Sequence, residues 1–369
     1  MKRLLLALLL AASAAAQPVL GPEVTSAPLS KLDDYAIAPQ RDGFVLAWTA
    51  EGRLFAGHLD ATLHITAPPL TLPLFDPNAT AALPAIASNG RSILVAWHER
   101  RAGYGETAFI ALLTADGQRL VKGPNPVNIT KDGPLATTVN GKYVVYTGDL
   151  RYVFNENLDT EEGTFISRNL GAALSENGEV ATVNESATGH FDCRQICFGR
   201  CSGTPQPCTG TSTVTFLSGG VPSVATYAFV IPPNTFTGDP FSSSPPVVAA
   251  NGDSYAGLVH LPDRTDVFFS NPFGQIAVPT VVSGQTALAG NGDDVLLVWT
   301  SPHPAGIVVH RDGSLSEPFA IGTFGYQPRV VNIDSNDFAV LYRIDAGGDQ
   351  SVIAGRIVHL QTPKRRSTH

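Results

Sequence analysis

The stretch Pro84–Trp97 (PAIASNGRSILVAW) reads as an apolar strand, a turn at Asn89-Gly90 and a second apolar strand ending in tryptophan, and this plan recurs along the whole chain. It returns most clearly at Thr286–Trp299, where Gly292 precedes Trp299 by the spacing that separates Gly90 from Trp97. Looser copies run over Tyr35–Trp48, Pro134–Tyr146, Ala172–Asn184, Pro246–His260 and Pro328–Tyr342. Asn-Gly stands at Asn89, Asn140, Asn177, Asn251 and Asn291, and the other two units place Asp42-Gly43 and Ser335-Asn336-Asp337 there. Asn-Gly tolerates the positive φ angles of a type I′ hairpin. The flanking runs, such as Ile93–Trp97 and Val295–Trp299, are apolar at nearly every position, as in strands covered on both faces. A hairpin recurring at spacings of roughly 40–50 residues is the mark of a repeat architecture.

Each unit continues alike. In the second, Thr107–Leu113 predicts a strand, Ala115–Gly117 a turn and Val127–Ile129 a further strand. In the sixth, Gly306–His310, Arg311–Gly313 and Pro318–Ile321 take those parts. Four strands per unit of this length predict an all-β fold, a β-propeller of about seven four-stranded blades. The seventh unit has strands at Arg329–Ile333, Phe338–Tyr342 and Val352–Val358 and lacks a fourth. The spare segment Gly21–Pro28 is expected to pair into that last blade, removing an open edge and closing the ring.

With this pattern the chain resembles exported bacterial propeller proteins whose blades carry a P-x-[IV]-A-x-N-G-x-x-x-L-V-x-W type sequence. The resemblance spans residues 18–360 and concerns architecture, since propellers host unrelated functions. The WD dipeptide of WD40 repeats and the S-x-D-x-G-x-x-W box common in sialidases are both missing. What the resemblance implies is a sorting of loops. The turns between a blade's first and second, and third and fourth, strands share one rim. The other two kinds of loop share the opposite rim, usually the binding face. His98–Glu106, Glu185–Ser212, Leu261–Thr265, Arg343–Ser351, Leu74–Leu83 and Ile231–Ser244 are the long, irregular loops expected on that face, where function tends to reside.

Composition sets the compartment and limits the partners. Lys2 and Arg3, the apolar run Leu4–Leu10 and the small residues Ala14–Ala16 read as a signal peptide over residues 1–16. The expected mature protein, secreted or periplasmic, is a propeller over 17–360 followed by a basic tail, 361–369. Its formal net charge of −8 before cleavage argues against nucleic acid as a partner. No later stretch is apolar enough for membrane insertion. All four cysteines, Cys193, Cys197, Cys201 and Cys208, fall in the insertion 185–212 of the fourth unit. In an exported chain they are expected to form two disulfides, with three pairings open. The rival reading is a zinc knuckle, but structural zinc usually uses C-x₂₋₄-C pairs set apart by a longer spacer, and here the gaps are three, three and six residues, so no cofactor is called for.

Candidate ligand-binding residues follow from the loops: His98, Glu99, Arg101 and Tyr104 after the second unit's tryptophan; His190, Asp192 and Arg194 in the cysteine loop; His260 and Asp263; and His303 between prolines. Trp48, Trp97 and Trp299 recur at one repeat position and are expected in blade cores. Nucleophile-elbow, zinc-helix and phosphate-loop motifs are not found, so no catalytic residues are assigned. The sequence favours an exported binding module that presents a loop-rich rim to an extracellular protein or glycan. The alternative is a propeller-fold glycoside hydrolase or polysaccharide lyase, which should gather carboxylates or a histidine at the axial mouth. Oligomeric state is left open.

Overall fold

The computed structural model describes residues 17–26, 29–30, 32–101, 105–129, 133–147, 150–165, 171–174, 180–186, 208–218, 221–231, 247–251, 254–260, 265–270, 273–278 and 282–360. Residues 1–16, expected to be a signal peptide, most of the cysteine loop and residues 361–369 lie outside these residues. Among the described residues, no helix is long and apolar enough to cross a membrane.

Three short strands open the chain: β1 (Val19–Leu20), β2 (Val24–Thr25) and β3 (Leu29–Ser30). The first sheet follows as β4 (Leu32–Gln40), β5 (Gly43–Ala50), β6 (Arg53–Asp60) and β7 (Leu70–Leu72). The second is β8 (Thr80–Ser88), β9 (Ser92–Arg100), β10 (Glu106–Thr114) and β11 (Leu120–Ile129). The third is β12 (Leu135–Val139), β13 (Lys142–Thr147), β14 (Leu150–Phe154) and β15 (Thr160–Phe165). The fourth comprises β16 (Gly171–Leu174), β17 (Val180–Ser186), β18 (Cys208–Ser218) and β19 (Val221–Ile231). The fifth comprises β20 (Val247–Asn251), β21 (Ser254–His260), β22 (Thr265–Ser270) and β23 (Phe273–Val278). The sixth is β24 (Ser283–Gly290), β25 (Asp294–Ser301), β26 (Ala305–His310) and β27 (Phe319–Ala320). The last holds β28 (Tyr326–Asn332), β29 (Asp337–Gly347) and β30 (Gln350–His359), with β1, β2 and β3 all paired to β30.

Within each sheet the strands pair antiparallel in chain order, and each sheet's first strand neighbours the first strand of the next. This is a β-propeller. β28 in turn lies beside β4, so the last sheet meets the first. The expected N-terminal pairing is present. Val24 and Thr25 face Gly355 and Ala354, while buried Ser26 donates its backbone N–H to the Ile353 carbonyl at 2.8 Å and accepts the Ile353 N–H on its Oγ at 3.0 Å. Arg356 reaches the Gly21 carbonyl (3.1 Å) and Glu23 (3.3 Å).

The apolar second strands explain the stacking. Successive residues of a strand point to opposite faces, so β9 serves two interfaces. Ile93, Val95 and Trp97 pack with Val45, Ala47, Leu54 and Ala56 of the first sheet. Leu94 and Ala96 pack with Tyr143, Val145 and Phe154 of the third. Trp48, Trp97 and Trp299 are all buried, each in the cluster shared with the preceding sheet. One expected loop is instead strand. Arg343, Ile344 and Asp345 pair with Ile353, Val352 and Ser351, so Arg343–Ser351 is mostly the end of a long hairpin. Its ladder continues past the apolar core because strand pairing needs backbone groups, not apolar side chains.

Candidate functional site

In the first, second and last sheets the start of the first strand lies beside the end of the second, as Leu32 faces Ala50, Thr80 faces Arg100 and Tyr326 faces Arg343, and these ends mark one rim. The polar and aromatic side chains placed there define the candidate site.

His98 and Glu99 do not begin a loop. β9 runs on to Arg100, and all three residues pair with β10. His98 is buried, with Nδ1 3.6 Å from Glu106 Oε2, and Glu106 also takes Arg100 at 2.6 Å. Glu99 is only 4% exposed and its carboxylate is fully engaged inside the protein. Oε1 accepts the Phe75 backbone N–H (2.7 Å) and Trp97 Nε1–H (3.1 Å), and Oε2 accepts the Asp76 N–H (3.1 Å). Glu99 therefore grips the loop that leads into β8. Arg101 is exposed and pairs with Asp76 at 3.0 Å, clamping the same loop from outside.

That grip has a consequence at Phe75. Its ring is 60% exposed yet fixed, since its own N–H is held by Glu99 and its face stacks on Phe109 at 5.2 Å. Phe109 in turn stacks on Trp97 at 6.1 Å. An aromatic platform thus stands on the rim, flanked by the Asp76–Arg101 ion pair and rooted in the blade core. A second exposed ring on this rim, Phe324 at 59%, precedes β28.

Between those two loops lies the start of β4, beside the start of β28. Arg329 donates to Asp34 Oδ1 (2.7 Å) and to the Tyr35 carbonyl (3.0 Å), and lies over the Tyr35 ring. Gln327 donates from Nε2 to the Asp33 carbonyl at 2.9 Å, and its backbone N–H donates to Gln285 Oε1 of the sixth sheet. Tyr35 is buried, with its hydroxyl bonded to the Gln327 carbonyl (2.7 Å), and burial pushes its ionisation far up. Next to this cluster Arg343 stacks on Tyr326, and both bond to Asp345. Burial and the Asp345 hydrogen bond push the Tyr326 hydroxyl up to about 12. The described part of this rim is therefore a mixed-charge arc of aromatics, amides and ion pairs over the last, first and second sheets.

The other sequence-selected residues are scattered. His303 is exposed between β25 and β26, and His260 ends β21 with its backbone paired to Thr265. Cys208 opens β18 opposite Ile231. Tyr104, His190, Asp192, Arg194, Asp263, Cys193, Cys197 and Cys201 lie outside the described residues. Sequence reasoning missed Phe75, Phe324 and the Asp34–Arg329 pair. For Phe75 the available signal was a large apolar residue inside a Pro- and Asp-rich loop, where no alternation assigns it to a core.

No family model matches this chain, and no curated protein matches it. Among solved structures it is similar to the β-propeller domain of the trilobed protease from Pyrococcus furiosus, described as having an open velcro topology (10% identity, 85% of this chain and 91% of that one, TM-score 0.47). It is also similar to Citrobacter koseri AztD (14% identity, 86% and 88%, TM-score 0.41). A Dyadobacter fermentans protein of unknown function is a further likeness (12% identity, 78% and 96%, TM-score 0.41).

Proposed function

We propose that this protein is an exported binding module that engages an extracellular ligand, a glycan or a protein, on the rim arc centred on Phe75. The observation that carries the reading is a solvent-exposed aromatic ring that the protein holds in place. Burying such a ring fully is worth about 1.5–3 kcal/mol, yet Glu99 ties the loop so that the ring stays outside. Fixed aromatics and arginines are the side chains that anchor interfaces, because they offer large contact area at small entropic cost. The ring can stack on the C–H face of a sugar, while the Asp76–Arg101 pair beside it can exchange hydrogen bonds with hydroxyls. That chemistry favours a glycan over a protein.

The rest of the reading belongs with it. Residues 1–16 direct export and are removed, the seven sheets over 17–360 close into one ring through β1–β3, and 361–369 is a tail. The four cysteines form two disulfides that pin the insertion 185–212 beside the same rim. Intact mass with and without reductant checks the disulfides; an unchanged mass contradicts them. The functional test is a glycan-binding array on residues 17–369, run beside hydrolysis and lyase assays on the same sugars. Binding without turnover is expected. Turnover would replace this reading with the enzyme one, and a silent array would move the ligand from glycan to protein.

A further inference from the structure

A second polar feature lies on the opposite rim, where the tight turns gather. An open surface cleft of about 540 Å³ lies between the second and third sheets, lined by Asn89 and the exposed Arg91, Asn140, Lys142, Glu156 and Asn157 among others. That volume is within the ~300–1,000 Å³ typical of small-molecule pockets. Its walls are held by the repeat itself. Asn89 Nδ2 donates across the gap to the Gly141 carbonyl (3.0 Å), and Ser92 Oγ and Tyr143 Oη tie the same two sheets together at 2.6 Å. The far turn is fixed by the Asn155 carboxamide, whose Oδ1 accepts the N–H groups of Asn157 (2.8 Å) and Asp159 (3.0 Å). A β-carbon built on Gly90 or Gly141 would meet nothing within 4 Å, so both turns leave open space.

The lining chemistry selects a ligand. It offers carboxamides and charged groups but no aromatic ring, so recognition rests on hydrogen bonds rather than stacking. Lys142 is engaged by Glu161 at 2.5 Å. Arg91 is 83% exposed and meets Glu156 only at 3.5 Å, a loose contact that leaves its planar fork available. A guanidinium fork matches a carboxylate with two parallel hydrogen bonds. Glu156 and the exposed Asn140 and Asn157 are placed to bond hydroxyls. We infer that this cleft is a second binding site, independent of the Phe75 rim, for a hydroxyl-rich ligand bearing a carboxylate, that is, a uronic-acid saccharide.

The test is calorimetric titration of the purified protein with digalacturonate, and with cellobiose as the neutral probe. Saturable, salt-sensitive binding of digalacturonate is expected, at least about tenfold tighter than cellobiose, because only the uronate carries a charge for the Arg91 fork to pair with. Arg91→Ala should weaken it at least about tenfold for the same reason. Its exposure makes the change harmless to folding, which an unchanged melting temperature verifies. Phe75→Ala should leave digalacturonate binding as it was. The site is refuted by absence of saturable binding, by equal affinity for cellobiose, or by an Arg91→Ala variant that binds normally. Loss on Phe75→Ala would refute it as well, by assigning the binding to the other rim.

Discussion

Glu99 is buried one residue from the end of its strand and accepts three hydrogen bonds, two of them from the loop that carries Phe75. Removing it strands three donors, one of them the buried indole N–H of Trp97. Glu99→Ala should therefore cost about 1–3 kcal/mol in urea unfolding and weaken ligand binding through Phe75, while Arg101→Ala should be nearly neutral for stability. A second residue-level prediction concerns His310, directly opposite Asp294 with Nδ1 and Oδ1 2.5 Å apart. The hydrogen bond to Asp294 raises the histidine's pKa above the ordinary value, against a smaller opposing effect of burial. A raised folded pKa means the pair's stabilisation is full below the unfolded value, about 6.5, and fades as pH rises through the higher folded value. Melting temperature should fall across that interval in the native protein and change less in Asp294→Asn, whose His310 should titrate lower by NMR. Neither role was legible in the sequence. Glu99 was singled out by position, as polar chain following a core tryptophan. Its real task depends on a loop 23 residues earlier in the chain folding back over it, as the Asp76–Glu99 bond shows.

The turns show what a local pattern reveals and what it conceals. Positive φ at both central residues, the type I′ expectation, holds at Asn140-Gly141 (51° and 79°). At Asn89-Gly90 and Asn291-Gly292 only the glycine is left-handed (82° and 106°). There the asparagine works through its side chain. Asn89 Oδ1 accepts the N–H groups of Arg91 and Ser92, and Asn291 Oδ1 those of Asp293 and Asp294. The amide nitrogen of each then bonds a carbonyl in the next sheet's turn, Gly141 at 3.0 Å and Ser335 at 2.7 Å. The repeated asparagine is thus both a turn former and a link between blades, and only the first is a property of adjacent residues. Asn89→Asp keeps the acceptor and loses the link; Asn89→Ala loses both. Chemical denaturation should show the aspartate costing about 0.5–1.5 kcal/mol and the alanine more. Equal costs would mean the link contributes nothing. Inner strands were placed well from sequence because their apolar runs are unambiguous. Outer strands were placed less completely: β11 spans Leu120–Ile129 where the sequence suggested Val127–Ile129 within the segment Gly123–Thr130, since partly exposed edge strands carry prolines and polar residues that read as loop.

At the scale of the whole molecule, the repeated four-stranded sheets and the pairing of the N-terminal segment with the last sheet were both legible, because a three-stranded final unit and a spare leading segment call for one another. The face that carries the candidate site was inferred from the resemblance, and the arc on it was not, because it joins the first, second and last units. Chain position does not reveal that Asp34 meets Arg329. The N-terminal strands also hold Ser26 and Glu23 against β30. Deleting residues 17–28 exposes that edge and should lower the melting temperature by at least about 5 °C, the loss of a few hydrogen bonds and buried contacts in a domain of this size. An unchanged value would show that the last sheet does not need them. Whether the fixed aromatic on the rim makes this propeller a binding module can be decided by one comparison. It is the affinity of the native protein and of Phe75→Ala for the strongest ligand on the glycan array. A loss of at least about tenfold is expected with an unchanged melting temperature, since the exposed ring contributes to binding and little to folding. Equal affinity in the two proteins would contradict it.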